Sequence, residues 1–285
     1  MLARVITGLI GVPIVIALVF YRNGLPFTIL VGLAAIIGLL EFYAAARKGG
    51  AHPNRLLGLA AGVLVIFFGR GLGSDLDGMA RMVYLVPVFT GFIMLSLAYE
   101  VFRKDRAPFV NVGVTVLGVT YVAWLFLHLI WLRNADRTIM VGRWESELGA
   151  WLALFVLLTA WTLDTGAYLI GRFYGTRKLA PVLSPGKTIE GSVAGFVLAV
   201  VIAAVAAAVI RMPQPHGLIL GALIGITGQV GDLAKSGFKR EVGIKDFGSV
   251  IPGHGGVLDR VDSLLFAGPV TFWYLVAFLP EWLWR

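Results

Sequence analysis

Nine apolar runs, each close to bilayer-crossing length, follow one another along this chain: 3–20, 26–45, 55–69, 81–99, 108–132, 149–171, 191–210, 216–234 and 262–283. A spanning helix needs about 20 mostly apolar residues, and in lipid only a helix or a closed barrel satisfies its own backbone. The runs predict an all-α polytopic membrane protein of about nine transmembrane helices. The third and eighth runs are the weakest, being short or polar at one end. The residues are 58% hydrophobic and only 14% charged, and mean hydropathy is +0.86, which does not suit a water-soluble globule of 285 residues. Linkers are short and rich in Arg, Lys, Gly and Pro, and no internal repeat stands out. The chain reads as a single integral membrane domain, 1–285, with about five spans in 1–135 and about four in 148–285.

The absence of cysteine excludes a disulfide framework, a thiol nucleophile and a Cys-ligated metal. The N-terminal run carries one arginine, Arg4, and no small-residue cleavage site follows it, so it reads as a retained first span. A net charge of +8 would fit nucleic acid in a soluble protein. In a membrane protein it fits cytoplasmic loops facing anionic headgroups and phosphates, and no nucleic-acid partner is expected. Of the 24 Lys and Arg residues, 16 fall on the side that holds the N-terminus and the 172–190 and 235–260 segments. The positive-inside rule places that side in the cytoplasm, where nucleotides are found.

The segment from Ser236 to Ser263 packs four basic residues, four acidic residues, one His and several Gly between two spans. Charge at membrane depth is costly, so such density points to chemistry. Lys and Arg neutralise phosphate oxygens, carboxylates hold a divalent ion, and Gly lets backbone N–H groups come close. On a helix, Asp232, Lys235, Ser236, Lys239 and Arg240 share one face. A snorkelling helix end would explain the cations alone; Asp232 needs a partner or an ion. Asp259, Arg260 and Asp262 open the last span. Acids in a first turn also serve as caps, a role that suits one of the two aspartates better than both. Carboxylates from two helices, Asp232 and Asp259, are expected to meet at the cytoplasmic mouth and seat Mg²⁺, with Asp262 and Asp246 beside them. His254 lies among Gly253, Gly255 and Gly256, which suit either close approach to a ligand or a tight turn.

A second polar island runs from Asp164 to Gly191 and offers Arg172, Arg177, Lys178, Ser184, Lys187, Thr188 and Glu190. Its Gly-Lys-Thr resembles part of a P-loop, but Pro181 stands where that motif requires glycine and no strand is expected before it. The remaining reading is a helix N-terminus with Ser, Lys and Thr beside it: an anion site, or an ordinary cap by Ser184 or Thr188. Glu41, near the end of the second span, is expected to pair with Arg47 or Lys48. His128 reads as a hydrogen-bonded helix contact.

The run Ser236, Lys239, Arg240, Lys245, Asp246, Pro252, His254, Gly255, Gly256, Asp259, Arg260 and Asp262 resembles the long signature of phosphatidate cytidylyltransferases, or CDP-diacylglycerol synthases. Asp164, Gly166, Ser184, Pro185, Gly186, Lys187, Thr188, Glu190 and Gly191 resemble that family's second block. The resemblance covers about residues 160–265; the first half agrees only in being apolar. It implies a membrane enzyme that converts CTP and phosphatidate to CDP-diacylglycerol and pyrophosphate. It also implies Mg²⁺ dependence, with Asp232 and Asp259 at the metal centre and K⁺ beside it, and a homodimer; with the positive-inside count, the expected location is the cell's inner membrane with the site facing the cytoplasm.

On that reading Asp232, Asp259, Lys239, Arg240, Arg260 and His254 are the candidate catalytic residues, and Asp232, Asp259, Asp262 and Asp246 the metal ligands. Ser184, Lys187, Thr188, Glu190, Ser236, Lys245, Gly255 and Gly256 are the candidate substrate contacts. The competing functions are a CTP-dependent polyprenol or lipid kinase and an anion transporter. The kinase would need a base for a hydroxyl nucleophile, and the transporter usually shows paired repeats. A scaffold explains the clustered carboxylates poorly.

Overall fold

The computed structural model describes residues 2–70, 78–104, 106–250 and 255–284. All nine apolar runs are helical: α1 (Leu2–Phe20), α2 (Leu25–Lys48), α3 (Arg55–Arg70), α4 (Gly78–Val101), α5 and α6 (Pro108–Gly118 and Leu125–Arg133), α7 (Leu148–Tyr174), α8 (Ile189–Val209), α9 (His216–Glu241) and α10 (Leu258–Phe278). A π-helical turn, Val119–Trp124, joins α5 to α6, so the fifth run is one continuous helix. Among the described residues, seven helices are long and apolar enough to cross a membrane. Of the nine expected spans, the 16-residue α3 falls short of the usual spanning length, while α1 is apolar and 19 residues long.

Three boundaries also move. Helix α9 continues through Glu241, past the apolar run that ends at 234, which keeps Asp232 to Arg240 on one helix. Helix α10 begins at Leu258, and a short α11 (Pro280–Trp284) follows it where the sequence suggests one unbroken span. Proline cannot continue the hydrogen-bonding of the preceding turn, which explains the break before Pro280. Two hairpins were not anticipated: β1 (Thr138–Val141) with β2 (Trp144–Glu147), and β3 (Lys178–Ala180) with β4 (Ser184–Thr188).

The chain divides into two compact units. The first comprises 1–14, 25–131 and 239–260; the second comprises 15–24, 132–238 and 261–285. In the first unit α2, α3, α4, α5 and the π turn pack together. Tyr43 is fully buried there and its hydroxyl donates to Thr115 O at 2.7 Å. Polar side chains join the helix links. Glu100 accepts from Ala107 N at 2.9 Å and Asn111 Nδ2 at 2.7 Å. Asn111 Oδ1 in turn accepts from His52 N at 2.8 Å, and Thr115 Oγ1 accepts from Asn54 N at 2.9 Å. Buried polar atoms must find such partners, and here they fix how successive helices enter and leave. His128 Nδ1 lies 2.9 Å from Trp124 O, as a helix contact should.

In the second unit α7 and α8 pack along one another. Helix α8 is apolar all round, so polarity does not sort its faces; size does. Gly191, Gly195, Ala199, Ala203 and Ala207 are buried at every fourth position, while Val193, Val197, Val201, Val205 and Val209 are exposed. Small residues let helix backbones approach in lipid, where apolar burial alone gives no preference. A Cβ on Gly195 would lie 2.6 Å from Leu163 O and 3.0 Å from Ala167 Cβ. Arg133 is also buried in this unit. It donates to Val19 O at 2.6 Å and Tyr21 O at 2.8 Å and pairs with Glu147 at 2.7 Å.

Gly195→Leu is therefore expected to destabilise the detergent-solubilised protein by about 1–3 kcal/mol through overpacking. Val197→Leu, on the exposed face of the same helix, should leave the thermal midpoint nearly unchanged. Equal midpoints for the two variants would contradict this packing.

Candidate active site

The charged residues of the motif region fall into two groups, one in each unit. In the second unit Asp232 on α9 receives two ammonium groups. Lys187 on β4 lies 2.5 Å from Asp232 Oδ2 and Lys235 lies 3.0 Å from Asp232 Oδ1. Lys235 also lies 2.5 Å from Asp262 Oδ2 on α10. The result is an unbroken alternation, Lys187–Asp232–Lys235–Asp262, with Lys235 and Asp262 both buried. Gly231 explains how the two helices come close enough: a Cβ there would lie 2.5 Å from Asp262 O and 2.7 Å from the Phe266 ring. Next to Asp262, Ser263 Oγ donates to Asp164 Oδ1 at 2.9 Å, which brings the carboxylate inside the sixth apolar run to the same group. Ser236 Oγ donates back to Asp232 O at 2.9 Å, one turn earlier on α9.

The β3–β4 hairpin presents Lys187. Thr188 caps α8 by accepting from Gly191 N at 3.2 Å, so the choice left open between Ser184 and Thr188 falls to Thr188; Ser184 starts the strand. The Gly-Lys-Thr lies in a strand that leads into a helix, not in a loop wrapped round a phosphate. Glu190, in the first turn of α8, accepts from Thr176 Oγ1 and Arg177 Nε, both at 3.0 Å, and so ties the hairpin's entry to the helix start.

In the first unit Asp259 uses both carboxylate oxygens. Oδ1 pairs with Lys239 at 2.8 Å; Oδ2 accepts from Phe247 N at 2.9 Å and Gly256 N at 3.2 Å. Asp259, in the first turn of α10, thus ties the backbone before the helix to Lys239, and Asp262 is the aspartate held in the ion-pair chain. Gly255 has φ +82°, and a Cβ there would lie 3.2 Å from Asp259 Oδ2 and 3.5 Å from Asp246 Oδ1, so Asp246 stands beside the same turn. Arg240, Lys245, Asp246 and Arg260 are exposed. Pro252, Gly253 and the candidate His254 lie outside the described residues.

Glu41 departs from expectation. It binds Val257 N and Leu258 N at 2.9 and 3.0 Å instead of Arg47 or Lys48. Partners 216 and 217 positions away leave no local spacing signal to read.

Among the described residues no three His, Cys, Asp or Glu side chains cluster as a metal cage. Mg²⁺ does not require one, since it takes one or two carboxylates and fills its remaining positions with water and substrate phosphate. Asp232 and Asp262 already converge on one cation, the Lys235 ammonium, so this donor pair fits such an ion.

A helical membrane protein that gathers lysines and aspartates in alternation has the chemistry of a site for polyphosphate and divalent cation. The sequence model of the cytidylyltransferase family matches residues 2–278. The chain is 32% identical over 277 residues to the phosphatidate cytidylyltransferase of Bacillus subtilis, covering 96% of this chain and 97% of that protein. It is 36% identical over 213 residues to that of Staphylococcus saprophyticus, covering 74% and 75%. With that of Synechocystis sp. it shares 28% over 295 residues, covering 97% of each. The chain belongs to the cytidylyltransferase family.

Removing Lys235 would leave the buried Asp262 carboxylate without its ammonium partner, beside the half-buried Asp232. Lys235→Met is expected to cost about 3–5 kcal/mol of stability. Adding Asp262→Asn to the same chain should recover part of the loss. Thermal denaturation in detergent decides, and an unchanged midpoint for the single variant would remove Lys235 from its bridging role.

Proposed function

We propose that this protein transfers the cytidylyl group of CTP to phosphatidate, forming CDP-diacylglycerol and releasing pyrophosphate. The observation that carries the reading is the Lys187–Asp232–Lys235–Asp262 chain in a member of the cytidylyltransferase family. A phosphate oxygen of phosphatidate attacks the α-phosphorus of CTP. A new P–O bond forms there, the bond from that phosphorus to the bridging oxygen of the leaving group breaks, and pyrophosphate departs with the electron pair. A phosphomonoester is already largely ionised at neutral pH, so no strong base is needed. Positioning and charge neutralisation supply the catalysis.

The chain's own residues have defined parts in this scheme. Lys187 and Lys235 shift their charge from the aspartates to incoming phosphate oxygens. In the second unit Ser184, Thr188 and Ser236 are the hydroxyl contacts for phosphate; in the first, Lys239, Arg240, Lys245 and Arg260 are the cations for phosphate oxygens. Asp232 and Asp262 would hold Mg²⁺, which neutralises triphosphate charge when bound. Asp259, in its own unit, keeps Lys239 and the Gly256 turn in place and, with Asp246, offers a second acidic pair. The acyl chains enter from the bilayer, so the lipid never has to leave it. The cytoplasmic orientation, supported by the positive-inside count, gives access to CTP. An inner-membrane location, a homodimer and K⁺ beside Mg²⁺ complete the reading on the strength of the family resemblance.

Purified protein given CTP, phosphatidate and Mg²⁺ should yield a nucleotide-linked lipid and free pyrophosphate. Lipid labelled only from the γ-phosphate would instead identify a kinase, and uptake into vesicles without turnover a transporter. Asp232→Asn should lower kcat on the order of 10²-fold or more; near-normal turnover in a stable variant would exclude Asp232 from the site. Lys187→Ala should raise KM for CTP or for phosphatidate, and unchanged kinetics for both would refute its phosphate contact.

A further inference from the structure

Glu41 is a buried acid that the reaction scheme leaves without a role. It lies on α2, far in sequence from the motif region, and is only 6% exposed. Its two oxygens accept from two consecutive backbone N–H groups, Oε1 from Val257 and Oε2 from Leu258. Those are the N–H groups at the start of α10, which has no intrahelical partner for its first donors. A local Ser, Thr, Asn or Asp usually meets this need, but the residue before Leu258 is valine. The cap comes from another helix instead.

The fit is close on both sides. A Cβ on Gly256 would lie 2.6 Å from each Glu41 oxygen, and one on Gly248 would lie 2.5 Å from Oε1. Real side chains do not tolerate such contacts, so glycine at both positions leaves room for this carboxylate. The three successive N–H groups of Gly256, Val257 and Leu258 are shared out in order: the first to Asp259, the next two to Glu41. Any change in how Glu41 holds Val257 and Leu258 therefore moves the backbone that carries Asp259, and with it the Lys239 pair.

We propose that Glu41 is a positioning residue: from α2 it clamps the start of α10 through Val257 N and Leu258 N and so sets where Asp259 and Lys239 present their charges. This rests on the proposed cytidylyl transfer. It adds a residue from the N-terminal half, outside both motif blocks.

The test uses the full chain in detergent, with hydrogen exchange and steady-state kinetics on the same preparations. Glu41→Gln keeps the shape but turns one acceptor into a donor facing an N–H group. Exchange of the Gly255–Arg260 amides should rise, and kcat should fall, each by about tenfold or more, because hydrogen bonds to a charged group are lost at buried donors. KM for CTP should stay within about threefold, since no substrate contact is removed. Glu41→Asp, which retains the charge but shortens the reach, should fall between wild type and Gln in both readouts; it also stands in if the Gln variant does not fold. A cap that only stabilises the fold would lower the melting midpoint and leave kcat per folded molecule intact. Unchanged exchange, or faster exchange with unchanged kcat, overturns the proposal. Absence of turnover in the wild type would overturn the functional reading instead, while the exchange arm still decides whether Glu41 clamps the helix.

Discussion

Charge neutralisation within a largely apolar chain is the constraint on which the rest of the site depends. Lys235 touches Asp232 and Asp262 at once, and Lys187 reaches Asp232 from a hairpin. Each of these groups would be costly to bury alone, and together they form a run of alternating sign. The arrangement needs α9 and α10 very close, which Gly231 permits by having no side chain to place against Asp262 O. It also needs β4 to deliver Lys187, which explains why a hairpin and not a featureless loop precedes α8. A site built this way suits phosphate substrates. The lysines that balance aspartates can balance phosphate oxygens, and the aspartates can balance a cation.

The second polar group follows the same rule with different partners. Asp259 is met by one lysine and two backbone N–H groups, and Glu41 by two further N–H groups. Here the positive partner is largely the exposed backbone at a helix start, where unsatisfied donors favour carboxylate. Two acids on different helices thus divide the donors of one turn. The glycines at 248, 255 and 256 acquire particular reasons. The first and last make room for a carboxylate, and Gly255 takes a left-handed conformation that few other residues adopt.

Much of the fold was legible because lipid imposes a simple demand. Every apolar run of spanning length became a helix. Asp232 could be selected at the end of an apolar run, and Lys187 and Asp262 from the two polar islands; Lys235 shares a helical face with Asp232 but nothing in the spacing marks it as the bridge to Asp262. The third run gave a helix of only 16 residues, marginal for a bilayer, because apolar character alone does not fix helix length. Helix α9 outlasts its apolar run because hydropathy falls at Asp232 while helical hydrogen bonding continues through Lys239 and Arg240, as the shared face of those residues requires. The hairpins escaped because strands of three to five residues leave no periodic signal. Glu41 was misassigned to neighbouring cations because local spacing cannot reveal a partner on α10.

By itself the sequence determined that this chain belongs in a bilayer, which segments are helical, and that phosphate-type chemistry gathers in its C-terminal half. These follow from local composition and from covalent spacing along a helix. Only the tertiary structure decided which lysine balances which aspartate, that Asp259 pairs with Lys239 while Asp262 pairs with Lys235, and that Glu41 holds the start of α10. Those choices depend on helix approach and side-chain volume, as at Gly231 and Gly256, and such contacts join residues that no short-range pattern connects.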